Sequence, residues 1–310
     1  MPTRQAIRQT LIDLDVVDGA SYGTATAGGA TTVTDTTLLA VGGNAVTRYA
    51  SQYLYRPSAA NAADYYRRVT ATGYAPTTGV LTHGTPNYTV NPLASSDSGY
   101  YELWPYDPKR VNRAFSRALT TQCFLMQQDN VTTNGNTRYQ VSASPFSLTN
   151  LTSANQFFGV AQVQGTDPTA TLTPWMNEGR TVMPEWDNDI FYLRFDPAPT
   201  GTIRIAWKKF FTDVTNETSD AVVDSTYAAW ATLKELFYAL RETAIERGEN
   251  ADHYQQRFEK ADQRTWIEGW KQNERFNARL FLPRPRYQSF TGAPGSGRGG
   301  GAGLGGYGSR

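Results

Sequence analysis

The chain has 310 residues, 39% of them hydrophobic, and a formal net charge of +1. This suffices for one large core or two to three smaller ones, while no apolar run approaches the roughly 18 residues of a membrane-spanning helix. The near-neutral balance argues against a dedicated nucleic-acid-coating protein, whose binding needs concentrated Lys and Arg, and the single cysteine, Cys123, excludes an intrachain disulfide.

The first predicted element is a helix over residues 3–17, where Ile7, Leu11 and Leu14 recur at helical spacing, Thr3 caps and Gly19 stops. Asp13 and Asp15 fall where a signal peptide carries its apolar stretch, so no secretory leader is expected. From about residue 21 to 103 the texture changes to Thr, Val, Tyr and Gly. Short segments such as TTVTDTTLLAV and SQYLYRP, separated by Gly and Pro, predict a small antiparallel sheet or barrel. The stretch YDPKRVNRAFSRALTTQCF then starts a helix, with Asp107 as N-cap and Pro108 in the first turn. Val111, Ala114, Phe115, Ala118 and Leu119 form its apolar stripe, and Lys109, Arg110, Arg113 and Arg117 lie largely off it.

A second β-rich stretch runs to about Asp213, and DIFYLRFDPAPTGTIRIAWKKF reads as two strands joined by a Pro/Gly turn. With QFFGVAQVQ and turns at Trp175 and Trp186 it suggests a sandwich. Two further helices follow. One is capped at Asp224 and stopped at Gly248, and the other carries Tyr254, Phe258, Ala261 and Ile267 as its stripe. A short break between them implies an αα-hairpin. Pro283 and Pro285 end the helical pattern, and half of the last twenty residues, TGAPGSGRGGGAGLGGYGSR, are glycine.

This pattern reads as an α+β chain: a helical bundle with two antiparallel β insertions and an extended C-terminal arm. Residues 1–19 and 107–128 supply single core helices, and 20–106 and 129–213 are the barrel- or sheet-like and sandwich-like insertions. Residues 214–280 form the helical hairpin, and 281–310 the Gly/Pro/Arg-rich arm.

Signs of chemistry are sparse. His83 reads as a turn residue and His253 as a solvated one, and neither has clustered ligands at metal spacing. Cys123 reads as a small buried filler. Glu235, Glu242 and Glu246 lie beside Lys234, Arg241 and Arg247 as helix-surface pairs. Gly295, Gly297 and Gly300 match a dinucleotide fingerprint, as do Gly301, Gly303 and Gly306, but no strand precedes and no helix follows them. One RGG, at Arg298, with only Tyr307 near it, is too little for a single-strand-binding arm. No catalytic constellation and no cofactor are expected. Trp175 and Trp186 raise a second reading, a tail or capsid-surface protein whose sandwich stacks a glycan.

The order of features resembles the head-to-tail adaptor (connector, neck) proteins of tailed bacteriophages. The likeness is carried by TRQAIRQTLIDLDVVDGASYGTAT, YYELWPYDPKRVNRAFSRAL, GTIRIAWKKFFTDVTNETSDAVVDSTYAAWATLKELFYAL and the helices from NADHYQQRF into the Pro/Arg tail. The resemblance implies a non-enzymatic structural protein of the virion, assembled in the host cytoplasm into a dodecameric ring at the head–tail junction. Its partners would be copies of itself, the portal protein and a tail or nozzle protein, with non-specific contact to passing DNA and none to membrane. The arm would reach the portal. Arg284, Arg286, Tyr287, Phe290, Arg298, Leu304, Tyr307 and Arg310 are the candidate anchors, because charged and large apolar residues stand out there against glycine.

Overall fold

The computed structural model of the chain describes residues 3–14, 16–38, 46–59, 61–89, 99–164, 171–175, 180–213 and 223–274. The anchor candidates Arg284 to Arg310, and the whole arm 281–310, lie outside the described residues.

The first part runs α1 (Arg4–Asp13), β1 (Ser21–Thr24), β2 (Ala27–Gly29), β3 (Thr32–Thr34), β4 (Tyr53–Tyr55), β5 (Tyr66–Ala75), β6 (Val80–His83) and β7 (Tyr100–Trp104). After it come α2 (Pro108–Thr121), β8 (Phe124–Thr132), β9 (Arg138–Gln140), β10 (Phe157–Gln164) and β11 (Thr171–Pro174). The chain continues through β12 (Thr181–Asp187), β13 (Ile190–Asp196), β14 (Thr202–Phe210), α3 (Ser225–Glu246) and α4 (Asp252–Gln272).

The expected helical bundle with two β insertions is overturned. Among the described residues the chain is β-rich, with fourteen strands in three antiparallel sheets and four α-helices. The sheets are not appendages on a helical body, because they bury cores of their own. A seven-stranded sheet, ordered β1-β7-β4-β5-β6-β3-β2, encloses Val33, Leu54, Val69, Tyr74, Leu81, Tyr101 and Leu103. A four-stranded sheet, β11-β10-β14-β8, faces a three-stranded one, β12-β13-β9, across Val160, Trp175, Leu193, Phe195, Ile203, Ile205 and Trp207. The helices build a further cluster from Ile7, Leu11, Phe115, Leu119, Leu233, Phe237 and Ala261, but Tyr55 and Trp104 from the first sheet are part of it. Burial alternates along β6 and β13, as period-2 patterning with one face in a core requires, whereas all five residues of β7 are buried.

Local signals explain the element ends. Asp107 accepts a hydrogen bond from the Lys109 amide at 2.9 Å, with Pro108 at the first helical position of α2. Asp224 accepts from the Thr226 and Tyr227 amides at 2.9 and 3.1 Å and opens α3. Gly248, at φ +69°, takes the left-handed conformation that ends that helix. Other boundaries differ from the sequence pattern. Helix α1 stops at Asp13, well before Gly19, and α2 stops at Thr121 rather than running to 128. Phe124 begins β8, whose nine residues pair with β14 from Phe210 to Thr202. That ladder outweighs the helix-forming texture of FLMQQ. Strands β13 and β14 both exist, but they join different sheets, so their Pro/Gly connection crosses the sandwich instead of closing a hairpin. On α4 the buried positions are Ala261, Thr265 and Gly269, and Ile267 is only half-buried.

Gly269 permits a close helix approach. A Cβ there would stand 2.9 Å from the Tyr227 hydroxyl and 3.1 Å from Cζ. That ring is held: Tyr227 donates to the Gln122 carbonyl at 2.9 Å, and the Phe124 amide donates to its hydroxyl at 3.3 Å. Gly269→Ala is therefore expected to lower stability by about 1–2 kcal/mol, overpacking outweighing a gain in helix propensity of about 1 kcal/mol. Thermal melting of the variant tests the sign.

A buried ion pair joins the N-terminal helix to the first sheet. Arg8 on α1 and Glu102 on β7 are 1% and 0% exposed, with Nε 2.9 Å from Oε2. The carboxylate also accepts from Tyr100 Oη at 3.0 Å and Trp104 Nε1 at 2.8 Å. Asn112 on α2 extends the network, its Oδ1 accepting from Arg8 at 3.4 Å and its Nδ2 donating to Tyr55 Oη at 3.3 Å.

Burial also holds several weak acids neutral. It raises the phenols of Tyr100, Tyr101 and Tyr227 and the thiol of Cys123, with Glu102 and Asp35 adding to the effect on Tyr100 and Tyr101. A raised value in the fold means that the unfolded chain ionises first. Stability is thus full below the unfolded values of 9.0 for the thiol and 10.0 for phenols, and falls as pH rises through them. Each group steepens the loss by up to about 1.4 kcal/mol per pH unit. Denaturant titrations at pH 8 and pH 11 are expected to show a markedly lower midpoint at the higher pH.

Candidate partner-binding surface

The C-terminal helix is pinned where the described body ends. Asn273, just past α4, accepts from the Met126 amide at 2.7 Å through Oδ1. Its Nδ2 donates to the Phe124 carbonyl at 3.2 Å and the Gly269 carbonyl at 2.8 Å. The last turn of α4 is thereby tied to the first residues of β8, and residues 275–310 begin from a fixed point. That segment holds Arg275, Arg279, Arg284, Arg286, Arg298 and Arg310 and no acid.

Beside this point a groove of about 310 Å³ opens between the hairpin and the end of the four-stranded sheet. Its apolar wall comes from Phe124, Phe158, Phe210, Tyr227, Trp266 and Trp270. Trp266 and Trp270 stand one helical turn apart, ring centroids 6.2 Å from each other, and Phe158 meets Trp270 at 6.3 Å. Trp266 is 67% exposed, which leaves an indole face open to a partner. Three charged side chains frame the groove. Lys234 Nζ lies 2.7 Å from Asp262 and donates to Gln122 Oε1 at 2.9 Å, and Lys208 stands 5.0 Å over the Phe124 ring.

A second surface is the outer face of α2. Lys109, Arg110, Arg113 and Arg117 are all exposed on it, and Arg117 also pairs with Glu235 at 3.0 Å. Glu235 is buried and accepts from Gln122 at 2.9 Å as well, so it bridges two helices rather than pairing along its own. Arg241 and Glu242 do pair as neighbours, at 2.5 Å.

Of the remaining chemical candidates, His83 and Trp175 differ from their sequence reading, and His253 and Cys123 agree with it. His83 is a buried strand residue, not a turn, its Nδ1 2.7 Å from the Gly84 carbonyl and its ring 4.2 Å from that of Tyr88. His253 is exposed in the first turn of α4. Cys123 is fully buried against the helical cluster. Trp175 belongs to the sandwich core, its Nε1 donating to the Thr181 carbonyl at 3.1 Å, and Trp207 is equally enclosed. Of the tryptophans raised for a glycan platform only Trp186 is exposed, on β12 against Phe191. Among the described residues no group of three or more His, Cys, Asp or Glu could hold a metal ion.

Sequence reasoning missed the groove. Its one local signal is the Trp266–Trp270 spacing, because the other walls come from residues far apart in the chain. No protein-family model matches the chain, and no curated protein matches it.

Proposed function

We infer that the protein is a non-enzymatic connector subunit of a tailed-bacteriophage virion, assembling as a ring at the head–tail junction between portal and tail. The reading starts from the resemblance in the helix and tail segments. The observation that supports it best is the pinned end of α4, because a basic, acid-free, glycine-rich arm starting from a fixed point suits capture of a large neighbour. Glycine lets such an arm lie close against another chain, and arginines among glycines offer bidentate contacts to carboxylates. In this reading Arg284, Arg286, Tyr287, Phe290, Arg298, Leu304, Tyr307 and Arg310 grip the portal, and the exposed bases of α2 are suited to face passing DNA.

Deleting residues 283–310 is expected to leave a folded protein that no longer binds portal rings. Co-sedimentation with purified portals measures this, with circular dichroism as the check on folding. Undiminished portal binding by the folded truncation would overturn the arm's role.

A further inference from the structure

We propose that the aromatic groove beside α4 is the docking site for the chain's own segment Leu280–Pro285, which seats the root of the arm on the body. The inference stands apart from the connector reading, since it concerns how the arm leaves its own subunit.

Three observations point to this occupant. The first is reach. The described body ends at Glu274, one helical turn past Trp270, so the groove lies about 6 Å back along the axis. The five residues 275–279 extend to about 17 Å at most, enough to turn back and too little to reach distant faces. The second is chemistry. Leu280, Phe281 and Leu282 form the most apolar run of residues 275–310, and Pro283 and Pro285 follow it. Proline-rich segments favour an extended left-handed helix that loses little entropy on docking, and aromatic-lined grooves are their usual receptors. Trp266 and Trp270 supply such a lining. The third is continuity. Phe158 belongs both to the groove and to an apolar strip on the outer face of the four-stranded sheet, with Met126 and Leu172 around the small Ala161 and Ala206. An extended segment leaving the groove would follow that strip. Docking would cover the exposed face of Trp266 and fix the direction in which residues 286–310 depart.

Limited trypsin digestion of the full-length protein tests this, because Arg279–Leu280 and Arg286–Tyr287 flank the segment and Arg298–Gly299 lies beyond it. Cleavage at the two flanking bonds is expected to be at least about tenfold slower than at Arg298, since protease access tracks the undocked population. Trp266→Ala, at an exposed position, should abolish the difference while lowering the melting temperature by only a few degrees, whereas Ile245→Ala, an exposed apolar site on α3 outside the groove, should preserve it. Equal cleavage at all three bonds in the unaltered protein would overturn the proposal, as would protection that survives Trp266→Ala. Protection that grows with protein concentration would also overturn it, by assigning the groove to a second copy.

Discussion

Replacing Glu102 by alanine is expected to lower the unfolding free energy by about 3–5 kcal/mol, because it removes the buried carboxylate that pairs with the Arg8 guanidinium. Arg8 is 1% exposed, and Glu102 alone gathers Arg8, the Tyr100 hydroxyl and the Trp104 indole within 3.0 Å. Removing the carboxylate leaves those donors aimed at a cavity that an alanine cannot satisfy. Removing both charges together is a different perturbation. A double Arg8→Met, Glu102→Leu variant should lose much less than the single one, since paired desolvation offsets most of the attraction. Guanidinium titrations of both variants separate the cases. A loss below about 1 kcal/mol in Glu102→Ala would show that the pair is solvated rather than enclosed.

The second large effect lies in the helical cluster. Phe115 is fully buried on α2, with Arg4 stacked 5.3 Å over its ring. Phe237 on α3 is equally enclosed. Truncating either to alanine is expected to cost about 3–5 kcal/mol, the lost transfer energy plus the cavity left behind. The sandwich has its own core, so the damage should be uneven. Amide exchange in α1, α2 and α3 should accelerate on the order of a hundred- to a thousandfold, with β10, β13 and β14 changing less. Equal acceleration throughout would mean that the clusters unfold as one unit.

The sequence carried some of this architecture and not the rest, for identifiable reasons. Asp107 with Pro108, Asp224 and Gly248 each mark a helix end by a bond or a dihedral within a few residues, so they are readable locally. Strand partnership is not. Ile190–Asp196 and Thr202–Phe210 carry the alternation of a hairpin, but which sheet each joins is decided by Tyr139 and Val131, far away in the chain. Likewise the helix pattern after Thr121 yields to a nine-residue ladder with β14. Weighting the strong helix signals over many short strands produced a helical body where sheets predominate. The groove escaped notice because Phe158, Phe210 and Trp266 meet only when sheet and hairpin pack together.

The composition of the helical cluster bears on how the protein is made. Ile7 and Leu11 share the helical cluster with residues as late as Ala261, and α1 packs mainly on α3, so the first helix emerges from the ribosome well before those late residues exist. At about 5–20 residues per second, its apolar stripe waits on the order of ten to fifty seconds for them. The two sheet cores close with strands that arrive sooner. Synthesis would then yield two β bodies first, with an adhesive N-terminal helix awaiting the hairpin that retires it.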